Sequence, residues 1–256
     1  MEPVVSPKSE NSRELIYSLS DVTKTRVAKG VAFHLSVPNL QIACGEKILL
    51  IAESGCGKST LLDVLALISQ PTTAKIFNFH PHEIPDAVEI SENWNSKSKG
   101  LNRISNLRKK HIGYVMQMGG LLPFLTVQEN INISREVLGL PEDGTAEKLA
   151  RKLHISTHLK KLPTTLSLGE RQRVAICRAL AHQPDVVIAD EPTASLDPFS
   201  AETVLEMFID LVDELDTTLI LASHSWQHVK KLGLRRLSHN SERAPGTKTM
   251  HTVISG

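Results

Sequence analysis

Across 256 residues there is no apolar run near the roughly 18 residues that a membrane-spanning helix needs, so any service to a membrane is expected to pass through a partner. The opening stretch MEPVVSPKSENSRE has neither a basic start nor an apolar core and is not expected to act as a secretory signal. Cysteine is scarce. Cys44, Cys56 and Cys177 show no metal-ligand spacing and are expected to be reduced thiols of a cytoplasmic protein. Charge of one sign is lacking too: 29 Lys and Arg face 28 Asp and Glu, a formal +1, which argues against a nucleic-acid binder. No solenoid-type repeat is present.

What is present is the composition of an ordinary globular protein, 41% hydrophobic and 22% charged. A chain of this size removes about 70–75% of its unfolded surface from water, enough for a large core. Residues 1 to about 14 are polar and read as a disordered tail. From Leu15 to Ile51, short apolar runs alternate with turn signals, predicting strands. Strands are also predicted at Lys47–Ile51, Ile112–Gln117, Asp185–Ala189 and Thr218–Ala222. Helices are predicted at Ser59–Ser69, Thr145–Leu153, Gly169–Ala181 and Pro198–Leu215, and from a capping box at Thr126–Glu129 to about Leu138. Residues 71–110, with Pro81, Pro85 and Gly100, read as irregular or inserted. Alternating strands and helices imply an α/β fold with a mostly parallel sheet.

The segment Ala52-Glu53-Ser54-Gly55-Cys56-Gly57-Lys58-Ser59-Thr60 nearly matches the phosphate-loop pattern GxxxxGK[ST], between a strand and a helix. Its glycines let successive N–H groups approach a phosphate, and the helix that follows turns its positive end to the same anion. Lys58 is placed to reach the β- and γ-phosphates and Ser59 to hold Mg²⁺. Ala52 stands where the pattern has glycine. Glu53 either weakens nucleotide binding or points to solvent. Cys56 is either a thiol activated by the loop and helix end or a small inert side chain. Further along, the apolar run Val186–Ala189 ends in Asp190 and Glu191. Ligands of open α/β sheets sit beyond such strand ends, so Asp190 is a candidate Mg²⁺ ligand and Glu191 a candidate base for the attacking water.

Leu166-Ser167-Leu168-Gly169-Glu170 then opens a helix about twenty residues before that strand, and here the sequence resembles the ABC (ATP-binding cassette) ATPases, whose signature is LSGGQ. Other motifs follow the family's order: Gln117 in IGYVMQ as the Q-loop glutamine, Ser195-Leu196-Asp197 as the D-loop, and His224 in LASHS as the switch histidine. The likeness runs from about Leu15 to Val229. Its finer flavour is that of lipoprotein-releasing and macrolide-efflux ATPases.

The resemblance implies a P-loop core with a mostly parallel sheet, an N-terminal antiparallel β subdomain and a small helical subdomain at about 118–168. The ATPase domain would span 15–235, with 236–256 as a C-terminal tail. It implies ATP and Mg²⁺ as cofactors, with Ser59, Gln117 and Asp190 at the metal and Glu191, His224, Gln117 and Lys58 as the catalytic set. Residues Glu53 to Thr60 would cradle ATP. Ser167 and Gly169 would close over the nucleotide of an identical partner, and Asp197 would serve interface geometry. An integral-membrane permease would bind the homodimer at the inner face of the cell membrane, without nucleic acid. The apolar run Gly119–Leu125 is either part of the permease groove or core of the helical subdomain.

Against the family pattern, Ala52 and Leu168 replace glycines, and DVTKTRVAKG holds no aromatic residue for the adenine. There Arg26 either stacks on the base or the base is poorly held. The basic run after His224 reads as a membrane-surface contact or a solvated tail. Lys58 and Ser167 are only about 109 positions apart with no sustained heptads, unlike the coiled-coil heads of chromosome maintenance. The alternative to a transporter is an ABC ATPase that acts mechanically on a membrane or other partner.

Overall fold

Two long antiparallel strands, β1 (Leu15–Ala28) and β2 (Val31–Ala43), lead into a short buried strand, β3 (Lys47–Ile51), and helix α1 (Lys58–Leu65). The computed structural model describes residues 14–28, 31–53, 55–224, 233–243 and 249–256. The expected tail over 1–14 lies, Glu14 apart, outside the described residues. Next come β4 (Ile76–Phe79), β5 (Val88–Glu89), α2 (Ile90–Asn95), α3 (Lys97–His111) and β6 (Ile112–Val115). Helices α4 (Val127–Val137), α5 (Thr145–Lys152) and α6 (Leu168–Leu180) precede β7 (Val186–Asp190), α7 (Pro198–Glu214) and β8 (Thr218–Ser223). The chain ends in β9 (Arg235–Arg236), β10 (Ser238–Arg243) and β11 (Met250–Ser255).

Strands β6-β7-β8-β3-β9 form a parallel sheet in that order. Its central strands have continuous apolar runs, residues 48–51, 186–189 and 219–222, because both faces are covered. Ile48, Leu50, Ile188, Ile220 and Ala222 point into one core, shared with α1 and the second sheet. Leu49, Val187, Ala189, Leu219 and Leu221 point into the other, beneath α4, α6 and α7. Helix α4 starts on the capping box foreseen at Thr126 and Glu129. Asn130, fully buried, fixes the chain before it: its Oδ1 accepts from the Leu122 N–H, and its Nδ2 donates to the carbonyls of Leu122, Leu125 and Thr126.

The second sheet has the order β10-β11-β2-β1-β4-β5 and is antiparallel except where β11 runs parallel to β2. It corrects two expectations. Residues 71–110 are ordered elements: β4 buries Phe77 and Phe79, and α3 buries Ile104 and Leu107. They look irregular in sequence because the strands are short and α3 shows water an almost wholly polar face. Likewise the described residues of 236–256, expected as a tail, include two strands, β10 and β11. Met250 to Val253 pair with Phe33 to Ser36, burying Thr252 and Ile254. Every residue of β10 is exposed, which gives this edge strand the composition of a solvated segment.

Candidate nucleotide site

The turn after β3 is made by Gly55 and Gly57, at φ +83° and +95°, a region that side chains with a Cβ enter only under strain. Gly57 is the N-cap of α1 and supplies no side-chain cap, so the first N–H groups of the helix are open to an anion. Lys58 is buried, and its Nζ donates to the carbonyls of Ala52 at 2.6 Å and Glu53 at 3.1 Å. Ala52 is absent from the described residues with positive φ, so its methyl group costs the loop no strain. The Glu53 side chain is exposed, and Cys56 is buried at 4% exposure. Ser54 lies outside the described residues.

Strand β7 delivers Asp190 and Glu191 to the same place. Burial pushes the Asp190 carboxyl above its ordinary pKa, as does the Glu191 charge, against a hydrogen bond from the Ser59 hydroxyl and the Lys58 charge. Glu191 adopts φ +47°, uncommon outside glycine. Its N–H is held by the Ala222 carbonyl at 3.0 Å. Its carboxylate lies 3.2 Å from Lys58 Nζ through one oxygen and 3.0 Å from His224 Nδ1 through the other. Gln117, exposed just past β6, faces Lys58, Ser59, Thr60, Asp190 and Glu191 across a cleft of about 430 Å³.

Two residues escaped the reading of the sequence, Phe33 in this cleft and Arg178 against the loop that follows Gln117. Phe33 is the cross-strand partner of Arg26, and both line the cleft. The Phe33 ring lies so close over Gly57 that a Cβ there would fall 2.2 Å from it. The aromatic residue thus comes from the second strand of the hairpin. Arg26 itself pairs with Asp63 at 2.8 Å. Arg178, near the C-terminal end of α6, donates to the carbonyls of Gly119 at 2.6 Å and Gly120 at 2.8 Å, directly after Gln117.

Ser167 and Gly169 do not line this cleft. They sit at the start of α6, where Ser167 is the N-cap in a capping box with Glu170. A Cβ at Gly169 would meet only ordinary contacts, at 3.8 and 3.9 Å, so the surface above it is open. Leu168 is half exposed and bounds a small side cleft with Gln117 and Leu196. Asp197 caps α7 by accepting from the Ser200 N–H at 3.0 Å.

Residues 35–194 match the family model described as ABC transporter. The chain belongs to the ABC transporter ATP-binding family. It is 35% identical over 217 residues to an uncharacterized ABC transporter ATP-binding protein of Thermotoga maritima, covering 84% of this chain and 83% of that one. The lipoprotein-releasing system ATP-binding protein LolD of Legionella pneumophila is 34% identical over 225 residues, 86% and 90% of the two chains. Among solved structures, the dimeric bacterial ABC transporter cassette MJ0796 superposes with a TM-score of 0.67 at 26% identity, covering 84% of this chain and 90% of that one. The same cassette is known in a dimeric post-hydrolysis state bound to ADP and Pi, with a TM-score of 0.66 at 25% identity over 83% of this chain and 89% of that one. This ABC ATPase therefore binds and hydrolyses ATP as the ATPase subunit of a transporter. No helix among its described residues is long and apolar enough to cross a membrane.

Proposed function

We propose that the cleft beside Lys58 is the hydrolytic site of a two-chain ATP sandwich that drives a separate membrane permease. The observation that carries this reading is the chain of contacts from Lys58 through Glu191 to His224. Glu191 and the carbonyls of Ala52 and Glu53 hold the Lys58 ammonium. The β- and γ-phosphates of ATP offer more charge than one carboxylate, so Lys58 turns to them and Glu191 is released. Glu191 then accepts the proton of a water attacking the γ-phosphorus, as the bond to the β-phosphate oxygen breaks and ADP and phosphate form. His224 orients Glu191 and contacts the γ-phosphate. The Phe33 ring offers the adenine a stacking face, with Arg26 at its side.

Ser59, Asp190 and Gln117 present hard oxygen donors, a set that suits Mg²⁺, which takes one or two carboxylates and completes its shell with water and phosphate oxygens. Bound there, the ion would neutralise charge developing on the phosphates. Ser167 and the N–H of Gly169 face the ATP of a second copy, because the helix start they occupy lies off their own chain's cleft and is open above Gly169. Met118 and Phe124, 85% and 73% exposed beside Gln117, are an apolar surface fit for a permease helix. The complex works at the cytoplasmic face of the membrane.

The test is capture of the Glu191→Gln protein with ATP from detergent-solubilised membranes. A multi-span membrane protein in fixed ratio is expected. Recovery of soluble proteins alone would favour a non-transport ABC ATPase.

A further inference from the structure

We propose that His158 is a positioning residue for the ATP-facing signature of this chain, acting through Glu170; the proposal rests on the two-chain sandwich above. His158 closes a short 3-10 turn (Ser156–His158) ahead of α6. Its Nε2 lies 2.8 Å from Glu170 Oε1, with the side chains 18% and 24% exposed. The other Glu170 oxygen, Oε2, accepts the backbone N–H of Ser167 at 2.7 Å, and Ser167 Oγ accepts the Glu170 N–H at 3.3 Å. Hydrogen bonds from the Ser167 backbone and side chain, and then His158, hold the Glu170 carboxyl below its ordinary pKa against the effect of burial.

The consequence lies in how these donors are used. The Ser167 N–H is taken by Glu170 Oε2, its oxygen accepts the Glu170 N–H, and its hydroxyl is engaged with the Glu170 carboxylate as well. The N–H of Gly169, and the Ser167 hydroxyl once it turns from Glu170, are the donors offered to a γ-phosphate. A carboxylate one residue beyond Gly169 would repel that phosphate if it swung towards it. His158 holds Glu170 against the turn, on the side of its own subdomain, and supplies a hydrogen-bond donor to the oxygen that Ser167 leaves open. A capping box alone fixes one of the two carboxylate oxygens, and His158 fixes the second. His158 touches neither the phosphate loop nor the cleft, so its effect falls on closure between chains and spares nucleotide capture within one.

The experiment measures ATP-dependent dimerisation in the Glu191→Gln background, together with kcat, KM and thermal midpoint in the otherwise unaltered chain. His158→Ala is expected to weaken dimerisation about tenfold, as loss of a charge-assisted hydrogen bond would, and to lower kcat while binding of a fluorescent ATP analogue to the monomer is unchanged. His158→Gln, which returns an N–H near the same place, restores most of the loss. In a Glu170→Ala background His158→Ala adds nothing. Unaltered dimerisation and kcat in His158→Ala, or an equal loss with Glu170 absent, would overturn the proposal. Should His158→Ala not fold, Glu170→Ala decides: dimerisation as tight as in the parent overturns it. If the Glu191→Gln parent itself stays monomeric with ATP, the sandwich reading fails and the proposal with it.

Discussion

The Glu191 carboxylate joins Lys58 of the phosphate loop, at 3.2 Å, to His224 at the end of β8, at 3.0 Å. One carboxylate thus touches both the residue proposed to meet the phosphates and the residue proposed to contact the γ-phosphate. Removing its charge while keeping its shape isolates its part in proton transfer. Glu191→Gln is expected to lower kcat by about 10²–10⁴-fold, the usual worth of a general base, with ATP affinity unchanged or tighter. Phosphate release and binding of a fluorescent ATP analogue check the two halves separately. Equal turnover by the variant would remove Glu191 from the mechanism.

The base platform makes a second prediction, because Phe33 and Arg26 sit side by side but differ in what they can offer. Base–aromatic stacking is worth about 1–3 kcal/mol, so Phe33→Ala should raise the Kd for ATP roughly tenfold or more. Arg26 is half exposed and already paired with Asp63, an arrangement worth at most about 1 kcal/mol. Arg26→Ala should change Kd less than Phe33→Ala does. Titration calorimetry with ATP and with inorganic triphosphate separates base from phosphate: triphosphate binding should not weaken in either variant.

Arg178 ties the signature helix α6 to the carbonyls of Gly119 and Gly120 beside Gln117. Replacing it by Leu leaves two carbonyls without their charged donor, at a cost of about 1.5–3 kcal/mol per charged hydrogen bond. The expected result is a lower thermal midpoint and a several-fold fall in kcat, with ATP binding to the monomer retained. Loss of stability with full turnover would show that the tie is structural alone.

Stability should also depend on pH through a group remote from the chemistry. Burial depresses the pKa of His182 to about 4, from the ordinary histidine value of 6.5. The unfolded chain therefore binds a proton below pH 6.5 that the folded chain refuses. The contribution of neutral His182 is present above that pH and is lost as pH falls towards 4. Between pH 7 and pH 5 this amounts to about 2 kcal/mol at most. Urea midpoints of the unaltered chain should fall over that range, and those of His182→Leu should fall less. Parallel slopes would contradict the assignment.

Much of the site was legible because its parts are short and contiguous. Lys58 and Ser59 stand in one loop motif, Asp190 and Glu191 end one apolar strand, and the Thr126 capping box announces a helix start. The structure brings Gln117, Asp190 and Glu191 to the loop, and His224 to Glu191. What stayed hidden depends on pairing across distance. Phe33 meets Arg26 only through the hairpin register, Arg178 reaches Gly120 across 58 positions, and His158 reaches Glu170 across a loop. The polar runs 71–110 and 236–256 concealed ordered elements because edge strands and one-sided helices show water most of their residues.

The central claim is that two copies of this chain close on ATP. Light scattering of the Glu191→Gln protein with and without ATP and Mg²⁺ tests it most directly. An ATP sandwich requires a monomer without nucleotide and, with it, a particle of twice the mass holding one ATP per chain. A monomer with ATP bound at saturation would contradict it.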